Sequence, residues 1–156
     1  MNQRETIEQF YTAFSAGDLK EMLNCYHDEI VFEDPAFGQL KGVRAKAMWQ
    51  MLLSRREKSG LTLQFSLDQN SDNKATWIAT YNYGPKKRKV VNSISAQFKF
   101  KDEKIIQHTD SFDLWKWTQQ ALGTSGYLLG WSNFMKQKIQ KTTHKALDQF
   151  IAKQTT

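Results

Sequence analysis

The sequence predicts one α+β domain in which a curved antiparallel sheet wraps N-terminal helices, with a further helical extension at the C-terminal end. Three observations carry this. Apolar residues recur at helical spacing over most of the first 56 residues, the period switches to two from Leu61, and beyond Leu114 a glycine-broken aromatic segment leads into a long lysine-rich helical pattern. At 156 residues the chain has room for one full core and not for two domains of ordinary size. Its 40% hydrophobic and 24% charged residues exclude a disordered chain.

The elements follow in order. Over residues 2–15, Ile7, Phe10, Tyr11 and Phe14 fall at i, i+3, i+4 and i+7, Asn2 and Glu5 are spaced as a capping box, and Gly17 is placed to end the helix. Asp18 and Glu21 repeat the capping spacing, and Leu19, Met22, Leu23 and Tyr26 repeat the stripe, which predicts a short second helix. After the strand-like "EIVFED", a third helix runs from about Val43 to Arg56, its buried side marked by Ala45, Met48, Trp49 and Leu52, and "EKSG" stops it. Leu61, Leu63, Phe65 and Leu67 then alternate with polar residues, as do Trp77, Ala79, Tyr81 and Tyr83, and Ile94, Ala96, Phe98 and Phe100. The last strand is "IIQHTDSFDL".

Charge and composition exclude several functions. The net charge of +6 resides in "KKRK" at 86–89 and in the last helix, where Lys136, Lys138, Lys141, Lys145 and Lys153 face only Asp148. Neither is a basic stripe interleaved with stacking aromatics, so nucleic acid is not an expected partner. "PKKRKV" has the form of a nuclear-localisation signal, yet it lies where two strands need a turn, and a solvated hairpin tip is the favoured meaning. The first residues lack a signal peptide's apolar centre and no run is long enough to span a bilayer, so a cytoplasmic location is expected. Cys25, the one cysteine, is expected to be buried rather than catalytic. His27, His108 and His144 lie on distant elements, so no metal and no cofactor are expected.

Two placements of ionisable residues stand out. Asp34 closes an apolar strand and is followed at once by Pro35. His108 and Asp110 occupy the same strand face as Ile106, Phe112 and Leu114, since successive residues on one side are about 6.6 Å apart. A slip by one residue would expose the pair but also the three apolar side chains, which is the costlier arrangement. Asp113 falls on the other face and is expected in solvent. Two readings stay open: Asp34 caps its turn and His108–Asp110 is a satisfied structural pair, or the three form an acid–base cluster.

These residues carry a resemblance. The opening "QFYTAFSAGDLKEMLNCYHDEIVFEDPAFGQLKG" resembles the start of the nuclear transport factor two-like superfamily, and in pattern bacterial ketosteroid isomerase, where a helix ending in "AGDL" leads to "EDP". The strand "DEKIIQHTDSFDL" is similar to limonene epoxide hydrolase and to SnoaL-like polyketide cyclases. The resemblance covers residues 5–115 and implies a cone-shaped half-barrel at 1–115, with helices closing a deep apolar pocket, usually in a homodimer; 116–156 is then an extension packed on the same domain. Asp34 matches the isomerase base. Of that family's oxyanion donors, the phenol would fall at Phe10, with Tyr11 turned about 100° away, and the protonated acid near Ala96, so both are missing. Loss of one such donor typically costs about 10²–10³ in rate, which argues against the same reaction by the same route. Asp110 matches one catalytic aspartate of the epoxide hydrolase, but "TWIATYNY" offers neither the second aspartate nor the arginine.

The resulting expectation is a small apolar ligand or substrate, acted on by Asp34 as base with His108 and Asp110 as partners, in an isomerase or hydrolase. A non-catalytic binding domain using the same pocket is the alternative. Phe10, Phe14, Trp49 and Trp77, with Phe37, Tyr81 and Phe112, are either the substrate wall or core packing. The apolar tail can serve as a lid, a dimer contact or a membrane-docking surface; lid or dimer is favoured, because membrane docking calls for a clean amphipathic helix in the glycine-broken segment.

Overall fold

The computed structural model describes residues 1–155. Helix α1 (Gln3–Ala16) begins with the anticipated capping box between Asn2 and Glu5 and ends at Gly17, whose left-handed backbone closes the helix. Helix α2 (Leu19–Asn24) is capped by Asp18. Tyr26 does not extend this helix. It opens strand β1 (Tyr26–Asp34), because the capped helix has closed by Cys25 and the phenol finds its partners on the sheet side. A turn through Pro35 and Ala36 leads to β2 (Gly38–Lys41), a strand the sequence reading did not anticipate because it is four residues long and has one buried side chain, Leu40. Helix α3 (Val43–Ser54) follows, stopping two residues short of the expected end, and α4 (Arg56–Ser59) is one further turn.

Strands β3 (Thr62–Leu67), β4 (Lys74–Tyr83), β5 (Arg88–Lys101) and β6 (Lys104–Ser111) form the expected meander, and "PKKRKV" lies at the β4–β5 turn. The sheet has the order β2-β1-β6-β5-β4-β3. It is antiparallel except where β1 runs parallel to β6, with Phe32 opposite His108 and Glu33 opposite Thr109. Its curled, unclosed form wraps α1 and α3, and the core lies between them: Ile7, Phe10, Tyr11 and Phe14 of α1 meet Met48 and Trp49 of α3, Phe32, Trp77 and Phe98.

Two details of β6 differ from expectation. A bulge at Ile106 in β6, opposite Lys99 and Phe100 of β5, sets Phe100 opposite Ile105, so Ile105 rather than Ile106 is sealed in the core. The strand ends at Ser111, and Leu114 starts helix α5 (Leu114–Leu122), because the Asp113 side chain accepts a hydrogen bond from Lys116 N–H and caps it. Phe112 and Leu114 therefore leave the sheet and pack in a second, smaller cluster with Val90, Trp117, Ala121 and Met135. Helix α6 (Thr124–Leu129) lies against α5, and α7 (Asn133–Gln154) crosses to α3. Gly126 and Gly130 permit this: a Cβ on either would come within 2.0 Å of Thr118 atoms. Among the described residues no helix is long and apolar enough to cross a membrane.

Candidate functional site

The parallel register fixes the site. With Phe32 beside His108 and Glu33 beside Thr109, the next residue of each strand is Asp34 and Asp110, on adjacent strands whose backbones run at the usual spacing of about 4.8 Å. The three candidate residues thus share one stretch of inner wall, yet their surroundings differ.

His108 is sealed. Its Nε2 lies 2.8 Å from Asp110 Oδ1 and its Nδ1 lies 2.7 Å from the Tyr26 hydroxyl, which accepts from Trp49 Nε1–H at 2.8 Å. A carboxylate only accepts, so Nε2 donates its hydrogen to Asp110, and Tyr26, which accepts from the Trp49 indole, has its own hydrogen to give to Nδ1. Every link of the chain Trp49–Tyr26–His108–Asp110 is then satisfied. Trp77 Nε1–H adds a longer contact to Asp110 at 3.5 Å. Rings enclose the imidazole on several sides: Trp49 stacks on it, Phe10 and Phe32 meet it edge-on, and Phe98 lies at 4.4 Å. Tyr26 was missed as part of this group; its place at Ile30 and Phe32 parity was the available signal, masked by the helical stripe it also fits. Tyr11, buried between Phe65 and Trp77, has no hydrogen-bond partner for its hydroxyl among the described residues. Burial, with the charge of Asp110 next, pushes both phenols well up.

Asp34 is only half-buried. Its Oδ1 accepts from the backbone N–H of Ala36 at 2.9 Å and of Phe37 at 2.6 Å, which is the turn-capping role. Among the described residues no hydrogen bond reaches Oδ2. Burial raises the pKa of Asp34 to about 7, the Phe37 N–H opposing and the Asp110 charge adding to the rise. The turn is held from outside by α7, whose Gln140 donates to Pro35 O, Thr143 to Ala36 O, and His144 Nε2 to Phe37 O. These clamps could not be read from sequence, since more than 100 positions separate the partners.

Beside Asp34 lies Tyr81, whose hydroxyl accepts from Trp117 Nε1–H at 2.7 Å and whose pKa is raised to about 12, mainly by burial. Its O–H stays protonated at neutral pH and has no acceptor of its own among the described residues. Phe112, Ala36 and Tyr81 pack against the cluster under α5 and α7, so the extension roofs this end of the cone. The seven expected wall residues therefore divide: Phe10, Phe14, Trp49 and Trp77 interlock with one another in the centre, while Phe37, Tyr81 and Phe112 lie toward Asp34 and the roof. Concavities of about 470 and 530 Å³ open elsewhere, at Arg4 and Phe100 and at Arg88 and Tyr127. Burial pushes the Cys25 thiol up to about 11, so it is no nucleophile at neutral pH. Among the described residues no group of His, Cys, Asp and Glu is arranged to hold a metal ion.

A curled, unclosed six-stranded sheet around N-terminal helices is the nuclear transport factor two-like architecture, and solved structures share this fold. A proposed polyketide cyclase from Xanthomonas campestris pv. campestris is 17% identical, with 76% of this chain and 95% of that one covered at a TM-score of 0.57. Bal32a, from a soil-derived mobile gene cassette, is 21% identical, with 76% and 95% covered at 0.59. A proposed isomerase from Bacillus subtilis is 15% identical, with 80% and 98% covered at 0.53. At such identities the likeness is one of fold. The profile of the SnoaL-like domain matches residues 7–108, and the chain belongs to that family. A comparison with curated proteins finds no significant match.

Proposed function

We propose that this protein catalyses proton transfer on a small apolar molecule bearing a carbonyl, with Asp34 as the base. One observation carries the reading: at the roofed end of the cone, Asp34 has one oxygen fixed by two backbone N–H groups and the other unbonded, at a pKa of about 7. Such a carboxylate is oriented by Oδ1, and Oδ2 is the atom that removes a proton from a carbon beside the carbonyl and returns it to another. Tyr81 is the donor for the developing oxyanion, since its hydroxyl accepts from Trp117 and keeps its own hydrogen to give. It stands in for the two donors whose positions hold Phe10 and Ala96. Asp110 acts on Asp34 through its charge, and His108 positions Asp110.

Deuterium exchange at the acidic carbon of a cyclic 1,3-diketone, followed by proton NMR, tests this. Wild type is expected to accelerate exchange, Asp34→Asn to abolish the acceleration and Tyr81→Phe to reduce it about 10²-fold. Equal exchange by wild type and Asp34→Asn, with the probe bound by both, would leave a binding domain without catalysis.

A further inference from the structure

We propose that the face formed by α6 and the start of α7 docks on an anionic lipid bilayer. Helix α6 presents its glycines inward, with Gly126 and Gly130 pressed on Thr118, and this forces its large side chains out. Tyr127, Leu128 and Leu129 are 61%, 67% and 49% exposed, and Trp131 and Phe134 continue the face at 70% and 69%. Apolar area this concentrated is unusual on a soluble monomer. The helix is thus two-sided, small residues toward the protein and large ones away from it, the reverse of an ordinary surface helix. The indole of Trp131 bonds Leu128 O and that of Trp115 bonds Tyr127 O, so the rings are held against the local backbone.

Charge selects the occupant. From Leu114 to Leu147 the chain has no Asp or Glu, and exposed Lys116, Lys136 and Lys138 flank the apolar residues. Arg88 and Lys89 of the basic hairpin tip border one concavity with Lys116 and Tyr127, which joins the second basic cluster of the chain to the same face. A second copy docking by this face would bring its own basic rim against this one, whereas anionic headgroups complement it. Tryptophan and tyrosine beside lysines and an arginine are the side chains that settle at the headgroup boundary. None of these exposed residues belongs to the Asp34 site, so failure of one reading leaves the other standing.

Co-sedimentation of the full chain with vesicles of equal parts phosphatidylglycerol and phosphatidylcholine tests the proposal, with pure phosphatidylcholine vesicles as control. Binding is expected to the anionic vesicles alone, to weaken as salt is added, and to be accompanied by a blue shift of tryptophan emission. Leu128→Ser combined with Trp131→Ser should reduce binding at least about tenfold. Lys136→Gln and Lys138→Gln should each reduce it about fivefold, without touching the apolar face. No binding to the anionic vesicles, or equal binding by the serine variant, would overturn the proposal. So would a dimer in sedimentation velocity that Trp131→Ser dissociates, which would assign the face to a second copy.

Discussion

The centre of the cone and its roofed end hold the same kinds of residue and treat them oppositely. In the centre, Asp110 Oδ1 accepts from His108, His108 accepts from Tyr26, and Tyr26 accepts from Trp49, so this chain is bonded link by link inside a shell of rings, while among the described residues Asp110 Oδ2 and the Tyr11 hydroxyl have no hydrogen-bond partner. At the roofed end, Asp34 has half of its carboxylate bonded and half free, and its proton affinity rises into the neutral range. A buried acid is therefore no sign of a catalytic one. Both acids have one oxygen without a hydrogen bond among the described residues; they differ in that Asp34 is oriented by backbone N–H groups, with its pKa raised to about 7, whereas Asp110 is tied to a ring-packed histidine.

The sharpest way to break this contrast is Asp110→Ala. It leaves the His108 Nε2–H without an acceptor inside a ring-packed core, and the loss expected in urea unfolding is about 3–5 kcal/mol. A loss below about 1 kcal/mol would mean that the centre is not the structural region.

Asp34→Asn should do the reverse, removing about 10²–10⁴ of the exchange rate while keeping the fold. Its stability profile sharpens the point. The folded pKa of about 7 lies above the ordinary 3.8, so the native chain holds the proton more tightly than the unfolded one. That stability is fully present below the unfolded value and is lost as pH rises through about 7, by at most about 4 kcal/mol. Wild type should lose stability across this window relative to Asp34→Asn, and exchange activity should rise over the upper part of it. Matching profiles would place Asp34 in solvent rather than in the wall.

Two smaller effects follow. Tyr11→Phe removes a sealed hydroxyl that has no partner among the described residues and should raise stability by about 1 kcal/mol in thermal unfolding; a comparable loss would reveal a partner and make Tyr11 part of the polar centre. Asp148→Ala breaks an exposed pair with Arg44, 2.6 Å long, on the α7 side and should cost about 0.5 kcal/mol or less.

Much of the fold was legible because local spacing and burial agree. The capping box at Asn2, the stop at Gly17 and the alternation from Leu63 to Phe98 each report the environment that their own side chains need. Where two periods coincide, the reading failed. Tyr26 fits the end of a helix and the start of a strand, and Phe112 and Leu114 fit a strand continued past Ser111 as well as a helix capped by Asp113.

The sequence by itself determined which residues face inward, because hydrophobic periodicity is a local property, and it placed Asp34, His108 and Asp110 on the inner wall. Tertiary structure alone decided what each does there. The parallel pairing of β1 with β6 set the two aspartates side by side, Tyr26 and Trp49 completed the bonds of His108, and α7 reached back to hold the turn of Asp34. Hydrogen bonds between groups far apart in the chain leave no spacing to read, yet they separate an acid tied to a buried histidine from one capped by its own turn.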